Sequence, residues 1–383
     1  MAACKSVLIV GAGIGGLTVA IALAKRGIQA EIIEVKTESS VYGVGIIQPS
    51  NQLRALAQIG LADACMAQGI AFPSWRMCDA NGNQMFEVTT PQVAPEFPGN
   101  NGIGRRVLHA ILSDAVAAHG VRIRLGITVT NLSQSENNVS VELSDGTRAA
   151  YDLVIASDGV HSAMRSRLFP EHGSARFTGQ SVWRFRTARL PDVSTGNLFY
   201  GKKSKAGFVP MSEEFMYLLL VTMDQPQIVK PSDNPAAMLR ERLAEYGGPV
   251  AEIAARLEKS AGIAEDDIVF RAMEATMLPA PWHRGRVVLI GDAVHAVTPH
   301  LAQGASIAIE DALVLADELA AASEPEPALA AYVKRRHARC QTVYDVGLQL
   351  GEWENLAFEG RPAADANPGP LMQKTLNDLA API

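Results

Sequence analysis

The chain opens with two different hydrophobic patterns in close succession. A short run of β-forming residues predicts a strand over Ser6–Val10, and the apolar stretch after it predicts a helix over Gly15–Lys25. A second apolar run predicts a strand over Ala30–Glu34, and Gly27 stands where a helix-ending glycine belongs. A strand, a helix and a strand in this order predict a β-α-β unit with a parallel sheet.

Comparable patterns recur along the rest of the chain. Helices are predicted over Gln52–Gln58, Arg105–His119, Pro235–Glu245, Val250–Lys259, Gly304–Ala321 and Ala328–Gly351. Buried strands are predicted over Val121–Leu125, Val139–Leu143, Tyr151–Ala156 and Arg286–Ile290. The last thirty residues contain prolines and no hydrophobic period, so no element is predicted there.

Between Gly179 and Met223 the pattern changes to short alternating stretches. Val182–Arg189 and Phe215–Val221 are typical of an antiparallel sheet with one wet face. The sequence therefore predicts a mixed α/β (α+β) fold, in which an antiparallel-sheet domain interrupts a Rossmann-like domain and long helices follow. The predicted domains are residues 1–177 with 276–322, residues 178–275, and residues 323–383. A ligand is expected where the first two domains meet.

Composition narrows the class of protein. Hydrophobic residues make up 48% of the 383 and charged residues 19%, which excludes a disordered or fibrous chain. The formal net charge of −6 lacks the basic footprint of a nucleic-acid-binding protein. The four cysteines are scattered without a CxxC pair, so neither a metal site nor a disulfide framework is expected, and a reducing cytoplasm fits.

One N-terminal stretch resembles a membrane segment on hydropathy alone. Val7–Ala24 carries no charge and follows Lys5. Glycines interrupt it early, and its first part is too short for a secretory core. A strand, a glycine turn and a helix explain it better, so we expect a soluble, cytoplasmic protein that does not enter a membrane.

The glycine turn itself predicts a nucleotide site. Gly11, Gly13 and Gly16 form a GxGxxG motif that directly follows a strand and opens a helix. The first glycine makes the tight turn, the second lets the backbone approach a pyrophosphate, and the third allows close packing of helix and strand. Glu34 ends the next strand, where a carboxylate accepts hydrogen bonds from both ribose hydroxyls. The acid favours FAD or NAD at this loop over NADP.

Three further segments accompany this loop in a fixed order. They are Arg105 with Leu108, His109 and Leu112; Asp158-Gly159 with Ser162 and Arg165; and Gly291-Asp292 with His295, Pro299, Gln303, Gly304 and Asp311. Together with the glycine loop, the set resembles the class A (single-component) FAD-dependent aromatic hydroxylases, such as the 4-hydroxybenzoate, salicylate and 6-hydroxynicotinate hydroxylases. The resemblance covers nearly all of residues 5–345.

The resemblance implies a role for each matching residue. Glu34 would bind the adenosine ribose of FAD, Arg105 would reach the ribose–phosphate region of the flavin, and Asp292 would hold the ribityl chain and pyrophosphate side. Asp158 is linked both to FAD and to the approach of the nicotinamide cofactor. Pro299 and the backbone of Gln303 and Gly304 would lie along the isoalloxazine ring. His295 is predicted to be a packed core histidine instead of a ligand.

The resemblance also implies a reaction. NADH or NADPH would reduce the bound FAD, and O₂ would add to give a C4a-hydroperoxyflavin that hydroxylates a small phenolic or hydroxypyridine-type substrate. The protein would exclude water, position the ring and assist removal of a phenolic proton. His300 is the first candidate for the base, because it directly follows Pro299, and Tyr217 is the second catalytic candidate.

Substrate contacts are expected from the alternating sheet. The candidates are Trp183, Arg184, Tyr200, Phe208 and Met211. Three alternatives stay open at this point: a flavoprotein of the same fold that acts on a non-aromatic substrate, a non-catalytic flavin-binding protein, and an NAD-dependent dehydrogenase. A homodimer through the helix predicted over Ala328–Gly351 is also left open.

Overall fold

The computed structural model describes residues 3–38, 43–224, 234–258 and 267–383. Its strands are β1 (Ser6–Val10), β2 (Gln29–Glu34), β3 (Gly45–Pro49), β4 (Ile70–Phe72), β5 (Ser74–Asp79), β6 (Gln84–Thr89), β7 (Asn100–Gly104), β8 (Arg122–Leu125), β9 (Val129–Gln134), β10 (Val139–Leu143), β11 (Arg148–Tyr151), β12 (Leu153–Ala156), β13 (Arg176–Ala188), β14 (Gly196–Tyr200), β15 (Ser204–Pro210), β16 (Phe215–Met223), β17 (Ile268–Ala275), β18 (His283–Arg284) and β19 (Val287–Leu289). Its helices are α1 (Ile14–Ala24), α2 (Ser50–Gln58), α3 (Ala62–Ala67), α4 (Arg105–Ala118), α5 (Ala163–Leu168), α6 (Pro235–Arg242), α7 (Gly248–Glu258), α8 (Asp292–His295), α9 (Gly304–Ala321), α10 (Pro325–Phe358) and α11 (Pro368–Asp378).

A six-stranded sheet forms the first half of the fold. Its strand order is β18-β19-β12-β1-β2-β8, and β1 pairs in parallel with both β12 and β2. Parallel strands covered on both faces read as continuous apolar runs, which is why Val7–Val10 is buried throughout. Helix α1 is apolar on nearly every side because it packs against both the sheet and α9. The predicted β-α-β unit is therefore present.

A seven-stranded sheet forms the second half. Its order is β17-β13-β16-β15-β14-β5-β6, and its pairs are antiparallel except for β14 with β5. One face packs against α6 and α7, and the other faces the first half of the fold. Strands β5 and β6 precede residue 178, so this sheet takes two strands from the part of the chain that the predicted boundary assigned to the Rossmann-like domain.

The two halves approach each other through a small sheet of β3, β7 and β4. A Cβ atom at Gly45 on β3 would collide with the Tyr217 ring and lie 2.6 Å from Met211 Sδ. A Cβ atom at Gly102 on β7 would collide with the Pro210 carbonyl oxygen. These glycines allow the backbone of one half to touch side chains of the other, so the domain interface closes tightly here.

The C-terminal helices extend further than the pattern predicts. Helix α10 is 34 residues long, and α11 lies in the tail for which no element was predicted. Arg54 and Arg339 both donate hydrogen bonds to the Leu379 carbonyl oxygen, at 3.2 and 2.9 Å, so contacts from distant helices hold the end of the chain. Lys259, predicted to end a helix, lies outside the described residues. Among the described helices none is both long and apolar enough to cross a membrane.

Candidate active site

The glycine loop lies between β1 and α1, and each glycine meets a different constraint. Gly11 has a φ of +107°, and a Cβ atom there would collide with the Ser157 carbonyl oxygen. A Cβ atom at Gly16 would collide with the carbonyl oxygen of Gly11, whereas one at Gly13 would meet no atom within 4 Å. The outer glycines are thus required by the protein's own packing. Gly13 faces open space at a helix N-terminus, which fits a bound pyrophosphate.

Glu34 lies directly beside this loop. Its Oε2 accepts a hydrogen bond from the Ala12 N–H at 2.9 Å, and its Oε1 accepts one from the Lys36 N–H at 3.0 Å. The carboxylate therefore holds the loop in place while it remains half-buried at the end of β2. This position fits the predicted ribose contact, since ionised oxygens accept more than one hydrogen bond each.

Asp292 and Arg105 lie close enough for their charges to interact. Asp292 opens α8 directly after Gly291, whose φ of +59° turns the chain out of β19. The Asp292 side chain is open to the cleft, but the surrounding protein walls raise the pKa of its carboxyl against the opposing effect of Arg105. Arg105 Nε is buried and has no hydrogen-bond partner among the described protein atoms. An unsatisfied cationic donor opposite a carboxylate fits an anionic ligand that also carries hydroxyl groups, as FAD does.

Asp158 orders the start of α5. Its carboxylate accepts hydrogen bonds from Ser162 Oγ at 2.5 Å and from the Met164 N–H at 3.0 Å, and burial raises its pKa. Arg165 donates hydrogen bonds to the carbonyl oxygens of Ala293 and Val160, at 3.0 and 2.7 Å. Arg165 therefore ties α5 to α8, and the predicted contact of Asp158 with a cofactor stays a prediction.

The loop before α9 is anchored from behind. Residues Pro299–Leu301 form a 3-10 turn, and Gln303 is the residue that precedes the helix. Gln303 is fully buried and exchanges two hydrogen bonds with Asn51, at 3.0 and 3.3 Å. Its side chain is thus held by the protein itself. The backbone at Gln303 and Gly304 remains available as the N-terminus of an 18-residue helix, which stabilises negative charge.

A fully buried ion network supports Asp292 from inside the protein. Asp311 accepts hydrogen bonds from the Gly291 N–H at 3.0 Å, from His295 Nε2 at 2.6 Å and from Arg336 Nε at 2.8 Å. Although burial would raise its pKa, His295 and Arg336 hold the pKa of Asp311 at about 2. The prediction that His295 is a packed core histidine is confirmed, because it is wholly buried. Sequence reasoning missed Arg336, which lies on α10 far from the motif.

Cys340 lies in the same network. Within the described part of the chain, one group of His, Cys, Asp and Glu side chains lies close enough together to share a metal ion. This group is His295, Asp311 and Cys340. Arg336 already supplies positive charge to Asp311 there and lies 3.6 Å from Cys340 Sγ. The group is therefore a salt-bridge network of the core.

On the seven-stranded sheet, residue parity decides which candidates reach the cleft. Arg184 pairs with Leu219 and Arg186 with Tyr217 across β13 and β16, which places these four side chains on the face toward the first half of the fold. Met211 and Tyr217 pack there beside Gly45. Tyr200 lies on the same face and is partly exposed.

Trp183 and Phe208 lie on the opposite face. Both are fully buried in a core formed with α6 and α7, and Trp183 packs against Phe270 in a tilted arrangement with ring centroids 4.7 Å apart. Neither side chain reaches the domain interface from there. The structure therefore does not bring these two side chains together with the cleft-facing candidates, because each is one residue out of phase with the strand positions that face the cleft, and their contact with substrate stays a prediction.

Both ring nitrogens of His300 contact other residues of the protein. Its Nδ1 lies 2.9 Å from Thr298 Oγ1, and its Nε2 lies 3.2 Å from Glu354 Oε2. Its side chain is only 4% exposed. Both ring nitrogens thus have protein partners, and the predicted role of His300 as a base stays a prediction.

Positive charge dominates the wall of the cleft around Tyr217. Burial lowers the pKa of Arg184, and burial together with the Arg184 charge lowers that of Arg105. Arg184 has no carboxylate partner among the residues that the structure describes. Burial raises the pKa of Tyr217 to about 12 in spite of both arginines, so its phenol remains a neutral hydrogen-bond donor.

Comparison with known proteins agrees with this geometry. The model of a family described as an FAD binding domain matches residues 5–346. The chain is 31% identical over 359 residues to 2-heptyl-3-hydroxy-4(1H)-quinolone synthase of Pseudomonas aeruginosa, covering 91% of this chain and 90% of that protein. It is 30% identical over 347 residues to 3-amino-4-hydroxybenzoate 2-monooxygenase PtmB3 of Streptomyces platensis, covering 88% and 85%.

A solved structure shares the fold. The crystal structure of Klebsiella pneumoniae HpxO complexed with FAD and uric acid superimposes with a TM-score of 0.79 over 98% of this chain and 92% of that chain, at 23% identity. The predicted fold class is thereby confirmed. With the family model covering most of the chain and relatives of at least 30% identity aligned over most of their length, the chain belongs to the class A FAD-dependent aromatic hydroxylases and is an FAD-dependent monooxygenase.

Proposed function

We propose that this protein hydroxylates a small phenolic or nitrogen-heteroaromatic compound with an acidic O–H or N–H group, using bound FAD, NADH or NADPH, and O₂. The balanced reaction is substrate–H + O₂ + NAD(P)H + H⁺ giving substrate–OH + H₂O + NAD(P)⁺. The observation that carries the proposal is that Arg184 and Tyr217 lie close together on the cleft face, where the Arg184 guanidinium has no carboxylate partner among the described residues.

The names of the relatives support this substrate class. They refer to a quinolone, an aminohydroxybenzoate and uric acid. All three are planar rings with acidic O–H or N–H groups. An apolar sheet face would instead favour a non-aromatic substrate such as an isoprenoid, but this face carries Arg184 and Tyr217.

Residues of this chain would hold FAD along the whole cleft. Gly13 and the start of α1 would take the pyrophosphate, Glu34 the adenosine ribose, Arg105 and Asp292 the ribityl and phosphate region, and the α9 N-terminus the ring. When bound, FAD supplies hydride acceptance from NAD(P)H and transfer of one oxygen atom to the substrate.

Arg184 and Tyr217 would prepare the substrate. A guanidinium beside an acidic O–H or N–H favours its deprotonated form, and loss of that proton makes the ring electron-rich and more reactive toward an oxygen electrophile. Tyr217 would donate a hydrogen bond to the same oxygen, since its phenol stays protonated. Met211 and the tight contact at Gly45 would exclude water from that end of the cleft.

The first experiment identifies the chromophore and then the reaction. We expect the purified protein to release FAD on denaturation. We also expect phenols, hydroxypyridines or quinolones to stimulate NADH or NADPH oxidation, with one O₂ consumed and one hydroxylated product formed per reductant. Bound FAD without any stimulation across that panel would support a non-catalytic flavin-binding protein. Stimulation by an isoprenoid alone would support the non-aromatic alternative.

The FAD site is tested separately. Asp292→Asn keeps the size of the side chain but removes its charge, and we expect FAD to bind on the order of 10- to 100-fold more weakly because a charge-assisted contact is lost. Asp114→Asn, at an exposed position on α4, is the matched control. Equal FAD affinity in the two variants would remove Asp292 from the site.

A further inference from the structure

A second polar cluster lies where three parts of the chain meet. Glu354 on α10 forms an ion pair with Lys205 on β15 through Oε1. Its Oε2 accepts hydrogen bonds from His300 Nε2 and from Gln180 Nε2 on β13, each at 3.2 Å. We call Glu354, Lys205, His300 and Gln180 the interdomain cluster, because they join the seven-stranded sheet, the loop before α9 and the C-terminal helix.

The two charged side chains of this ion pair, Glu354 and Lys205, neutralise each other. Although burial would raise it, Lys205 and His300 hold the pKa of Glu354 at about 2. Burial disfavours the Lys205 ammonium, but Glu354 raises its pKa above the usual value. Both groups are therefore ionised at neutral pH. The side chains are mostly buried, with 19% of Glu354 and 12% of Lys205 exposed, so little water screens the pair.

The Glu354 carboxylate also determines which ring nitrogen of His300 donates a hydrogen bond. His300 Nε2 faces an ionised oxygen and must donate to it, so in the neutral ring Nδ1 is left to accept a hydrogen bond from the Thr298 hydroxyl at 2.9 Å. Both partners lie outside the cleft-facing sheet positions. The ring is thus held by contacts that orient the loop, and none of them leads to a substrate.

Helix α10 is shaped to reach this loop. A Cβ atom at Gly351, one turn before Glu354, would lie 3.1 Å from His300 Cε1 and 3.4 Å from Gln180 Oε1. A Cβ atom at Gly347 would lie 2.7 Å from Thr298 Oγ1. Two glycines one helical turn apart let the helix backbone approach the loop closely, so the ion pair forms at a packed junction instead of at the surface.

We propose that Glu354 is a positioning residue that couples the substrate-facing sheet to the loop in front of α9. The inference rests on the proposed function, in which that loop lies along the flavin and the sheet binds substrate. Lys205 and Gln180 hold the sheet, His300 holds the loop, and one carboxylate fixes the distance between them. Without it, the junction opens to water and reduced cofactor reacts with O₂ alone, in the uncoupled reaction NAD(P)H + O₂ + H⁺ giving NAD(P)⁺ + H₂O₂.

The test is a double-mutant cycle on the ion pair. Glu354→Gln, Lys205→Met and their combination are compared with Glu352→Gln, an exposed acid on the same helix, as the control. We expect each single variant to weaken FAD binding, measured by flavin fluorescence, and to raise the share of reductant that ends as H₂O₂. The double variant is expected to lose on the order of fivefold less affinity than the two single effects combined, because each single change leaves one charge unpaired.

A structural role alone would move stability and leave coupling intact, so the H₂O₂ yield decides between the two. Lys205→Arg keeps the charge and is expected to restore wild-type coupling. Glu354→Gln with the FAD affinity and H₂O₂ yield of Glu352→Gln would overturn the proposal, as would strictly additive effects in the cycle.

If Glu354→Gln does not fold, Gln180→Leu removes one hydrogen bond to the carboxylate. Lower FAD affinity and a higher H₂O₂ yield in that variant support the proposal, and wild-type values overturn it. If no substrate stimulates the wild type, the proposed function fails, while the FAD-affinity cycle still tests the coupling of sheet and loop.

Discussion

The molecule contains two clusters of charged side chains, and they differ in how completely the protein itself pairs their charges. The core cluster consists of Glu310, Asp311, Arg336, Arg339 and His295 between α9 and α10. In it Glu310 pairs with Arg336 at 2.9 Å and with Arg339 at 2.8 Å, and Asp311 pairs with Arg336 at 2.8 Å and His295 at 2.6 Å. Every carboxylate in this cluster has cationic partners, and all the side chains except Arg339 are completely shielded from solvent.

The cleft cluster consists of Arg105, Arg184, Asp292 and Tyr217. Here the charges are not matched. The pKa of both arginines is lowered by burial, and the pKa of Asp292 is raised by burial. Arg105 Nε has no hydrogen-bond partner among the described protein atoms, and Asp292 remains open to the cleft.

This difference indicates which charged side chains stabilise the fold and which are available to bind a ligand. A protein keeps charge in its interior when partners satisfy it, as in the core cluster. A charged side chain without a partner lowers the stability of the folded protein. A binding site tolerates this loss because the bound molecule supplies the missing partner. We therefore propose that the cleft cluster binds FAD and substrate, and that the core cluster stabilises the fold around it.

The largest expected effect comes from breaking the scaffold. Arg336→Met leaves Glu310 and Asp311 buried with too few partners, and we expect the free energy of unfolding to fall by roughly 3–5 kcal/mol. Urea denaturation followed by circular dichroism measures it. Arg148→Met is the control, because the Arg148 side chain is 78% exposed and its ion pair with Glu142 contributes little. Similar losses in both variants would show that the core cluster does not stabilise the fold.

Removing a charge from the cleft cluster should lower the activity without lowering the stability of the fold. Arg184→Met is expected to leave the unfolding free energy unchanged or raised, since the like charge beside Arg105 disappears. It should lower kcat/KM on the order of 10- to 100-fold, because an ionised contact to the substrate is worth about 1.5–3 kcal/mol. Arg186→Met, two residues along the same strand and paired with Asp267 at the surface, is the control. A loss of stability without a loss of turnover would place Arg184 with the scaffold.

The loops and strand ends of the proposed FAD site could be placed from the sequence because local backbone geometry builds them. Gly11 and Gly16 are required by collisions within one strand–turn–helix unit, and Glu34 ends the adjacent strand in register with the loop. Asp292 follows a strand directly in the same way. Such motifs keep fixed spacing, so residue type and position are enough to indicate the ligand.

The sheet half could not be predicted to the same depth. Trp183 and Arg184 are neighbours in sequence but face opposite sides, and both sides are covered, one by α6 and α7 and the other by the first half of the fold. Alternation alone does not show which of two covered faces forms the cleft.

The interdomain cluster gives no local signal at all. Glu354, Lys205 and His300 come from three distant segments, and only the tertiary structure brings them together. The same is true of α11, whose end is held by arginines from α2 and α10. His300 was predicted as a base from its position after Pro299, and that position also fits the orienting role which its two partners support.

The smallest expected effect is a pH dependence that separates the interdomain cluster from both others. The pKa of Glu354 is held at about 2, below its ordinary value of 4.5, so its stabilising contribution is complete above the ordinary value and declines as the pH falls toward 2. The groups that face it are Lys205, His300, Tyr200 and the amide of Gln180. Lys205 stays charged and Tyr200 stays neutral throughout this range. Between pH 5 and about pH 3 the wild type should therefore lose on the order of 1–2 kcal/mol more unfolding free energy than Glu354→Gln, whose amide does not titrate. Asp311, whose pKa is also held at about 2, contributes equally to both proteins and cancels in the difference. Parallel stability curves over that interval would mean that Glu354 is not ionised in the folded protein, and the interdomain cluster would then be held by neutral hydrogen bonds alone.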